Sequence, residues 1–408
     1  MKKFQYPHKL NIIFDKLSKY HISAVIVGGY VRDFFLDLDS KDIDIELYGV
    51  DSLDEVEKIL REFGKVNSVG KSFGVCKLHF KNFDLDFSLP RRDTKTAKGH
   101  KGFNITLERN IDFKTAAKRR DFTMNAIGYA VSSQKILDPY NGINDLHNRF
   151  LRAVDLETFG EDPLRVLRAV TFASRFDLKI EKKLFHLCKT MIEAGILTEL
   201  PRERIFEELK KMLLLTQKPS KAFLLLQKLS AFSFFTELIS LDKTEFTSLL
   251  QALDAAPKKL EILLAILVTP LTIKESYTLL EKITNDKKLT QTIITLKETS
   301  FDLNNITNYT VYKLATKISI SLFIPYLKAL YPKKRAAIET LEEKAKKLNV
   351  YEKKLQALIS GKDLIALGLK PSKKFSTLLD ELYELQMQEK IHTKEDAINF
   401  LPIYPSFF

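Results

Sequence analysis

Ser23-Ala24-Val25-Ile26-Val27-Gly28-Gly29-Tyr30-Val31-Arg32-Asp33, followed by Asp42-Ile43-Asp44-Ile45-Glu46-Leu47-Tyr48, decides how the chain is read. Ser23 to Val27 is a short apolar run with the length of a buried strand. Gly28-Gly29 breaks it, and Tyr30 to Leu38 has helical spacing. Asp42 to Tyr48 alternates charged and apolar residues at its start, as a strand does. On a strand, residues two apart share a face, so Asp42 and Asp44 stand side by side. Two carboxylates that close repel unless a cation neutralises them, and a pair of Mg2+ ions serving phosphoryl transfer fits that need. Read alone, a D-x-D is more often an exposed strand edge with two solvated acids. The order strand, Gly-Gly, helix, acidic strand changes the balance. Backbone N–H groups at Gly28 and Gly29 can approach phosphates with no side chain in the way. Arg32, one turn into the helix, adds a forked cation for a triphosphate.

Working outward, Leu10 to Tyr20 reads as an amphipathic helix. Val75 to Phe80 and Phe83 to Leu89 read as strands joined by a tight turn, and Ile127 to Val131 with Lys135 to Leu137 as a further hairpin. Phe83-Asp84-Leu85-Asp86-Phe87 offers a third carboxylate. Asp86 is the choice to align the metal site or deprotonate a 3′ hydroxyl, against the alternative that Asp84 and Asp86 are surface residues. Asp121 in Lys118-Arg119-Arg120-Asp121-Phe122-Thr123-Met124-Asn125-Ala126 is an acceptor suited to a ribose hydroxyl. Arg120 suits phosphates, and Asn125 can orient the loop; a plain N-cap at Asp121 is the bland alternative. In Glu161-Asp162-Pro163-Leu164-Arg165-Val166-Leu167-Arg168, Asp162 fits an N-cap and Pro163 the first helical position. Arg165 and Arg168 lie three apart on one face, so Asp and Arg together offer acceptors and donors matched to a base edge. The bland alternative is a capped helix with an internal ion pair.

The 408 residues exceed one ordinary core and suggest two to four domains. From about Pro163 onward helical periodicity dominates, so an α/β head gives way near residue 145 to an all-helical remainder. A hydrophobic content of 45% argues against disorder, and no run of about 18 apolar residues predicts a membrane span. No secretion signal is read at the start. Cys76 and Cys188 fit no metal or redox spacing, and a cytoplasmic protein is the expectation. The net charge of +13 favours a polyanionic partner, and between Arg91 and Arg120 ten Lys/Arg face three Asp/Glu.

Taken in order, Gly28-Gly29-Tyr30-Val31-Arg32-Asp33, Asp42-Ile43-Asp44, Arg119 to Ala126 and Glu161 to Arg165 resemble the class II tRNA nucleotidyltransferases, the CCA-adding enzymes, and their bacterial poly(A) polymerase relatives. Asp138-Pro139-Tyr140-Asn141-Gly142 with Asp145-Leu146 is similar to that family's link from head to neck. Leu200-Pro201-Arg202-Glu203-Arg204-Ile205 resembles the motif that supports the neck. Ser360 to Leu369 resembles the RNA-binding tail of bacterial members, although Pro371-Ser372-Lys373-Lys374-Phe375-Ser376 departs from the usual Pro-Gly-rich continuation.

The resemblance implies an α+β fold: a polymerase-β-like nucleotidyltransferase head (1–145), then an all-α neck (146–215), body (216–335) and tail (336–408). It implies Mg2+ at Asp42 and Asp44, ribose contact at Asp121, and Asp162 with Arg165 pairing with CTP and then ATP, no nucleic-acid template being needed. The partners implied are the tRNA 3′ end, CTP and ATP, with no membrane and no protein partner. With only His186 and His392 beyond residue 150, no histidine-rich phosphohydrolase domain is expected.

Three relatives of this activity stay open: a poly(A) polymerase, a CC-only enzyme and an A-only enzyme. Gly70-Lys71-Ser72-Phe73-Gly74 in place of the Gly-Arg-basic-Phe element argues against the first. The long Lys-, Gly- and Thr-rich stretch from Arg91 to Leu107 supplies the loop that CC-only enzymes tend to lack. A non-catalytic RNA-binding scaffold would have no reason to hold Asp42, Asp44, Asp121, Asp162 and Arg165 together. An aminoglycoside-type nucleotidyltransferase would not need the long basic helical body.

Overall fold

The computed structural model describes residues 3–67, 74–95, 103–107, 111–367 and 374–401. Residues 70–73 of the Gly70-Lys71-Ser72-Phe73-Gly74 segment and residues 371–373 of the Pro371 to Ser376 segment lie outside them. The chain divides into two compact units, Met1–Met212 with Lys221–Thr236, and Leu213–Ser220 with Glu237–Phe408.

The first unit is built on a seven-stranded sheet. In chain order its head contains α1 (Asn11–Lys19), β1 (Ser23–Val27), α2 (Gly29–Phe35), β2 (Asp42–Tyr48), α3 (Leu53–Leu60), β3 (Lys65–Asn67), β4 (Val75–Phe80) and β5 (Phe83–Ser88). The hairpin of β6 (Arg91–Lys95) and β7 (Phe103–Leu107) follows, then α4 (Phe113–Ala117), β8 (Gly128–Ala130) and β9 (Lys135–Leu137). The strand order is β3-β4-β5-β2-β1-β8-β9. Only β2 and β5 run parallel within this sheet, and their register sets Asp44 opposite Asp86 and Asp42 opposite Asp84.

Alternation along β2 explains the sheet's two characters. Ile43, Ile45 and Leu47 are fully buried, whereas Asp42 and Asp44 face solvent on the opposite side. The apolar row meets Leu78, Leu85 and Phe87 of β4 and β5 in the same core, which α1 and α3 cover with Ile13, Phe14, Leu17, Val56 and Leu60. Burying one such Leu or Ile side chain stabilises by about 2 kcal/mol, so this layer fixes the register on which the acids depend. At the ends of the stretch read as a loop, Arg91–Lys95 and Phe103–Leu107 pair as β6 and β7, with Arg91 opposite Leu107 and Lys95 opposite Phe103, and residues 96–102 lie outside the described residues.

Beyond β9 come α5 (Gly142–His147), β10 (Phe150–Leu151), α6 (Leu156–Phe159), α7 (Leu164–Phe176), β11 (Lys179–Ile180), α8 (Lys182–Glu193), α9 (Arg202–Leu214) and α10 (Ser220–Lys228). Gly142 starts α5 where a Cβ would stand 2.2 Å from the Thr123 carbonyl oxygen, so only glycine admits this approach. Thr123 Oγ1 also donates to Asp145, 2.7 Å, tying α5 to the segment after Arg120. The aromatic rings of Phe122, Phe159, Phe172 and Phe176 pack edge-on or stacked along α7.

The second unit is helical: α11 (Lys243–Ala255), α12 (Leu260–Val268), α13 (Ile273–Ile283), α14 (Lys287–Glu298), α15 (Asn308–Lys317), α16 (Ile320–Leu330) and α17 (Arg335–Lys347), then α18 (Gly361–Ala366), α19 (Lys374–Met387) and α20 (Lys394–Phe400). In α12 every residue from Ile262 to Val268 is buried, packed against α11, α14 and α16. Lys297 of α14 donates to the carbonyls of Val268, Thr269 and Leu271, closing the end of α12. Ile359, Leu364, Leu378, Leu382, Ile391, Ala397 and Leu401 form a separate small core. The α+β arrangement expected from the sequence, a mixed-sheet head followed by helices, is the one observed. Among the described residues no helix is long and apolar enough to cross a membrane.

Candidate active site

Gly28 has φ +71, a left-handed value that an L side chain rarely adopts. A Cβ there would stand 3.1 Å from Asp44 Oδ2 and 3.2 Å from Arg120 Nη1. The turn after β1 is therefore the floor on which the β2 acid and the Arg120 guanidinium meet. Around it opens a cleft of about 320 Å3. Ten of the twelve predicted residues line it: Gly28, Gly29, Arg32, Asp44, Arg120, Asp121, Asn125, Asp162, Arg165 and Arg168, with Phe172 added. Asp42 and Asp86 are not among the lining residues.

Asp44 keeps solvent contact, yet enough protein surrounds it that desolvation pushes its carboxyl above the usual range. The nearby carboxylates of Asp86 and Asp42 push the same way, while Arg120 and Lys77 oppose them. Crowding of like charge at Asp44 is what a bound cation would relieve. Lys77 Nζ already donates to Asp86 Oδ2, 2.6 Å, across β4 and β5, and His79 Nδ1 lies 2.8 Å from Asp84 Oδ1. Asp86 is thus half-buried and paired, whereas Asp84 sits on the exposed rim. Among the described residues no three His, Cys, Asp or Glu side chains form a metal-type cluster.

Arg120 is half-buried and gives Nη1 to the Asn125 carbonyl, 3.1 Å. Burial lowers its basicity, and its Nε is buried with no hydrogen-bond partner among the described residues. Arg32 is buried, stacked against Phe172 and Phe176, and its guanidinium donates to Asp33 and Asn125.

Asp121 is buried and is not an N-cap: the 3-10 turn Thr123–Asn125 has no side-chain cap. Its Oδ1 accepts from the Phe122 N–H, 2.8 Å, and from Asn125 Nδ2, 2.9 Å. Its Oδ2 accepts from Arg168 Nε, 2.7 Å, and Nη2, 2.5 Å. Desolvation raises its carboxyl, but Arg168, Asn125 and Arg165 outweigh that and hold it below the usual range. Four donors nearly saturate a carboxylate, so any further donor reaches Asp121 only as Arg168, the more exposed partner, shifts.

Asp162 Oδ1 accepts from the Leu164 N–H, 3.1 Å, and Pro163 has helical dihedrals, matching the expected start of α7. Arg204 of α9 grips both Asp162 oxygens, 3.3 and 3.0 Å. Arg165 gives Nη1 to the Thr158 carbonyl, 3.1 Å, and Nη2 to the Arg119 carbonyl, 2.7 Å. Of five guanidinium hydrogens two are used, so donors remain for a ligand.

Four residues here were not singled out from the sequence. Phe172 lies on α7, two turns beyond Arg165. Arg204 lay in the quoted Leu200 to Ile205 segment without a role. Glu208 is buried, accepting from Thr171 Oγ1, 2.8 Å, and Lys211 Nζ, 2.8 Å. Glu46 is fully buried two residues after Asp44 on the same strand face, a burial that the charged–apolar alternation does not signal, since it sets Glu46 with the solvated acids.

The head that carries this cleft matches known proteins in sequence and in fold. Residues 24–152 match the poly A polymerase head domain, and residues 177–241 match the profile described as the probable RNA and SrmB-binding site of polymerase A. More particularly, the chain is similar to CCA-adding enzymes: it is 35% identical over 241 residues to the CCA-adding enzyme of Coxiella burnetii, covering 59% of this chain and 61% of that one. The multifunctional CCA protein of Neisseria gonorrhoeae is 35% identical over 210 residues, 52% of this chain and 48% of that one. The chain thus spans about half to three-fifths of these curated relatives. Among solved structures, the Bacillus stearothermophilus CCA-adding enzyme in complex with CTP superposes with TM-score 0.78 at 20% identity over 99% of both chains. A tRNA nucleotidyltransferase with a primer tRNA and an incoming ATP analogue superposes with TM-score 0.68 at 22% identity, covering 83% of this chain and 99% of that one. At such identities the likeness is one of fold.

Proposed function

We propose that this protein adds C, C and A to tRNA 3′ ends from CTP and ATP, choosing nucleotides with its own side chains. The observation that carries the reading is the single cleft in which Asp44, Arg120 and the Gly28 turn meet Asp121, Asp162 and Arg165. Phosphate-, ribose- and base-directed groups thus line one cleft. The Gly28 and Gly29 backbone and the Arg120 guanidinium receive the triphosphate. Asp121 accepts from the ribose as Arg168 withdraws. Asp162 and the free donors of Arg165 present a base edge with a complement. Asp42 and Asp44 hold Mg2+, with Asp86 steadied by Lys77 beside them. When bound there, Mg2+ supplies charge neutralisation at the attacking and leaving oxygens.

The four-part division into head, neck, body and tail, and a cytoplasmic place of action, go with this reading. So does the charge of +13, which suits a polyanionic substrate. Incubating the protein with Mg2+, CTP, ATP and tRNA transcripts lacking one, two or three terminal nucleotides, then sequencing the 3′ ends, tests it. Restoration of the missing letters is expected. Long A tails indicate a poly(A) polymerase, a stop after C a CC-only enzyme, and no growth a non-catalytic RNA-binding protein.

A further inference from the structure

A carboxylate that lines no part of the cleft sits fully buried beside it. Glu46 follows Asp44 by two residues on β2, so both point to the same side of the sheet. Glu46 Oε1 accepts from Arg119 Nη2, 3.1 Å, and Oε2 accepts from the Tyr48 hydroxyl, 3.0 Å. The carbonyl of that same Arg119 accepts from Arg165 Nη2, 2.7 Å. A continuous path therefore runs from the strand that bears Asp44, through the Glu46–Arg119 pair, to the guanidinium at the start of α7.

Stability alone does not account for such a pair. Desolvating a carboxylate offsets most of what its ion pair contributes, and an apolar pair of similar volume often serves as well. What an ion pair with a fixed acceptor does supply is position. β2 is held on both edges by β1 and β5, so the Glu46 carboxylate is a rigid post. Arg119 lies on an irregular stretch between α4 and the Thr123–Asn125 turn, where no ladder fixes its carbonyl.

We propose that Glu46 is a positioning residue for nucleotide selection: by anchoring the Arg119 side chain it fixes the carbonyl on which Arg165 rests. This rests on the reading that Arg165 faces the incoming base. Loss of the anchor lets Arg165 pivot about its Thr158 bond. An ångström of misplacement is enough to change rates by about 100-fold, and here it falls on discrimination rather than on phosphoryl transfer.

The test compares kcat/KM for CTP, ATP and the wrong nucleotide UTP on one primer tRNA, in wild type, Glu46→Gln, Tyr48→Phe, Arg165→Ala and the Glu46→Gln/Arg165→Ala double variant. The wild-type arm alone decides whether the protein extends tRNA at all. Glu46→Gln is expected to lower CTP-over-UTP selectivity about tenfold, a part of that 100-fold sensitivity, with the Mn2+ affinity measured by electron paramagnetic resonance unchanged. Tyr48→Phe, which removes only the hydroxyl donor, shifts selectivity the same way by less. In the Arg165→Ala background Glu46→Gln should change selectivity no further. Equal loss for all three nucleotides, unchanged selectivity, or a second full drop in the double variant would overturn the proposal. Should Glu46→Gln fail to fold, unchanged selectivity in Tyr48→Phe overturns it.

Discussion

Asp121 carries a structural task beside the ribose contact proposed for it. It is buried, it holds Arg168 and Asn125, and those partners keep its carboxyl below the usual range. A carboxyl depressed in the folded state contributes stability that is present above its unfolded value of about 4 and is lost as pH falls through the folded value. Asp121→Asn removes that contribution and leaves Arg168 short of a partner, at a cost of about 3 kcal/mol at neutral pH. In urea unfolding the gap between wild type and variant is expected to close as pH drops from about 5 towards 2. A gap that stays constant with pH would mean that the carboxylate is not the source of the stability.

At the scale of elements, the start of α5 carries a sharper constraint. A Cβ on Gly142 would meet the Thr123 carbonyl carbon at 2.7 Å as well as its oxygen, and backbone cannot step aside as a flexible side chain can. Gly142→Ala is expected to destabilise by about 3 kcal/mol, read as a lowered urea midpoint with unchanged slope. It also pushes on the segment bearing Asp121 and Asn125, so nucleotide affinity should fall with it.

Elements with a strong period were legible beforehand. Ile43, Ile45 and Leu47 against Asp42 and Asp44 gave away β2, and Val75 to Phe80 and Phe83 to Leu89 match β4 and β5 within a residue. Lys65–Asn67 was missed because a three-residue edge strand with one apolar residue carries no period. The two-residue strands Phe150–Leu151 and Lys179–Ile180 were missed likewise, since they exist only by pairing with each other. In the site, residues with local signatures such as Gly28 and the Asp162-Pro163 start of α7 could be picked out. The partners that orient them could not. Arg204 lies 42 residues from Asp162 and Arg119 lies 73 from Glu46, and no periodicity spans such distances.

For the whole molecule, the division is not a single cut. Lys221–Thr236 belongs to the first unit although Leu213–Ser220, which precedes it, belongs to the second. Phe223, Leu226, Leu229, Ala231, Phe232 and Phe235 are buried there, and the turn at Ala231–Ser233 packs on α8. Removing that many apolar side chains forfeits on the order of 10 kcal/mol, comparable with the full stability of a typical domain. A fragment of residues 1–212 is therefore expected to bind a hydrophobic dye and melt without cooperativity, and one of residues 1–236 to melt as a unit. A cooperative transition in the shorter fragment would show the first core to be complete without α10.

Strand order also bears on how the head comes off the ribosome. β1 is flanked by β2, made soon after it, and by β8, made far later, with Val27 opposite both Asp44 and Gly128. The acidic strands β2 and β5 can thus zip together while Arg119, Arg120 and β8 are still unmade. At roughly 5–20 residues per second, the nascent chain spends seconds with its carboxylates assembled and their basic counterparts missing. Glu46, which ends in the dry interior, begins as a wetted side chain, and its burial is a late event that waits on the arrival of one arginine.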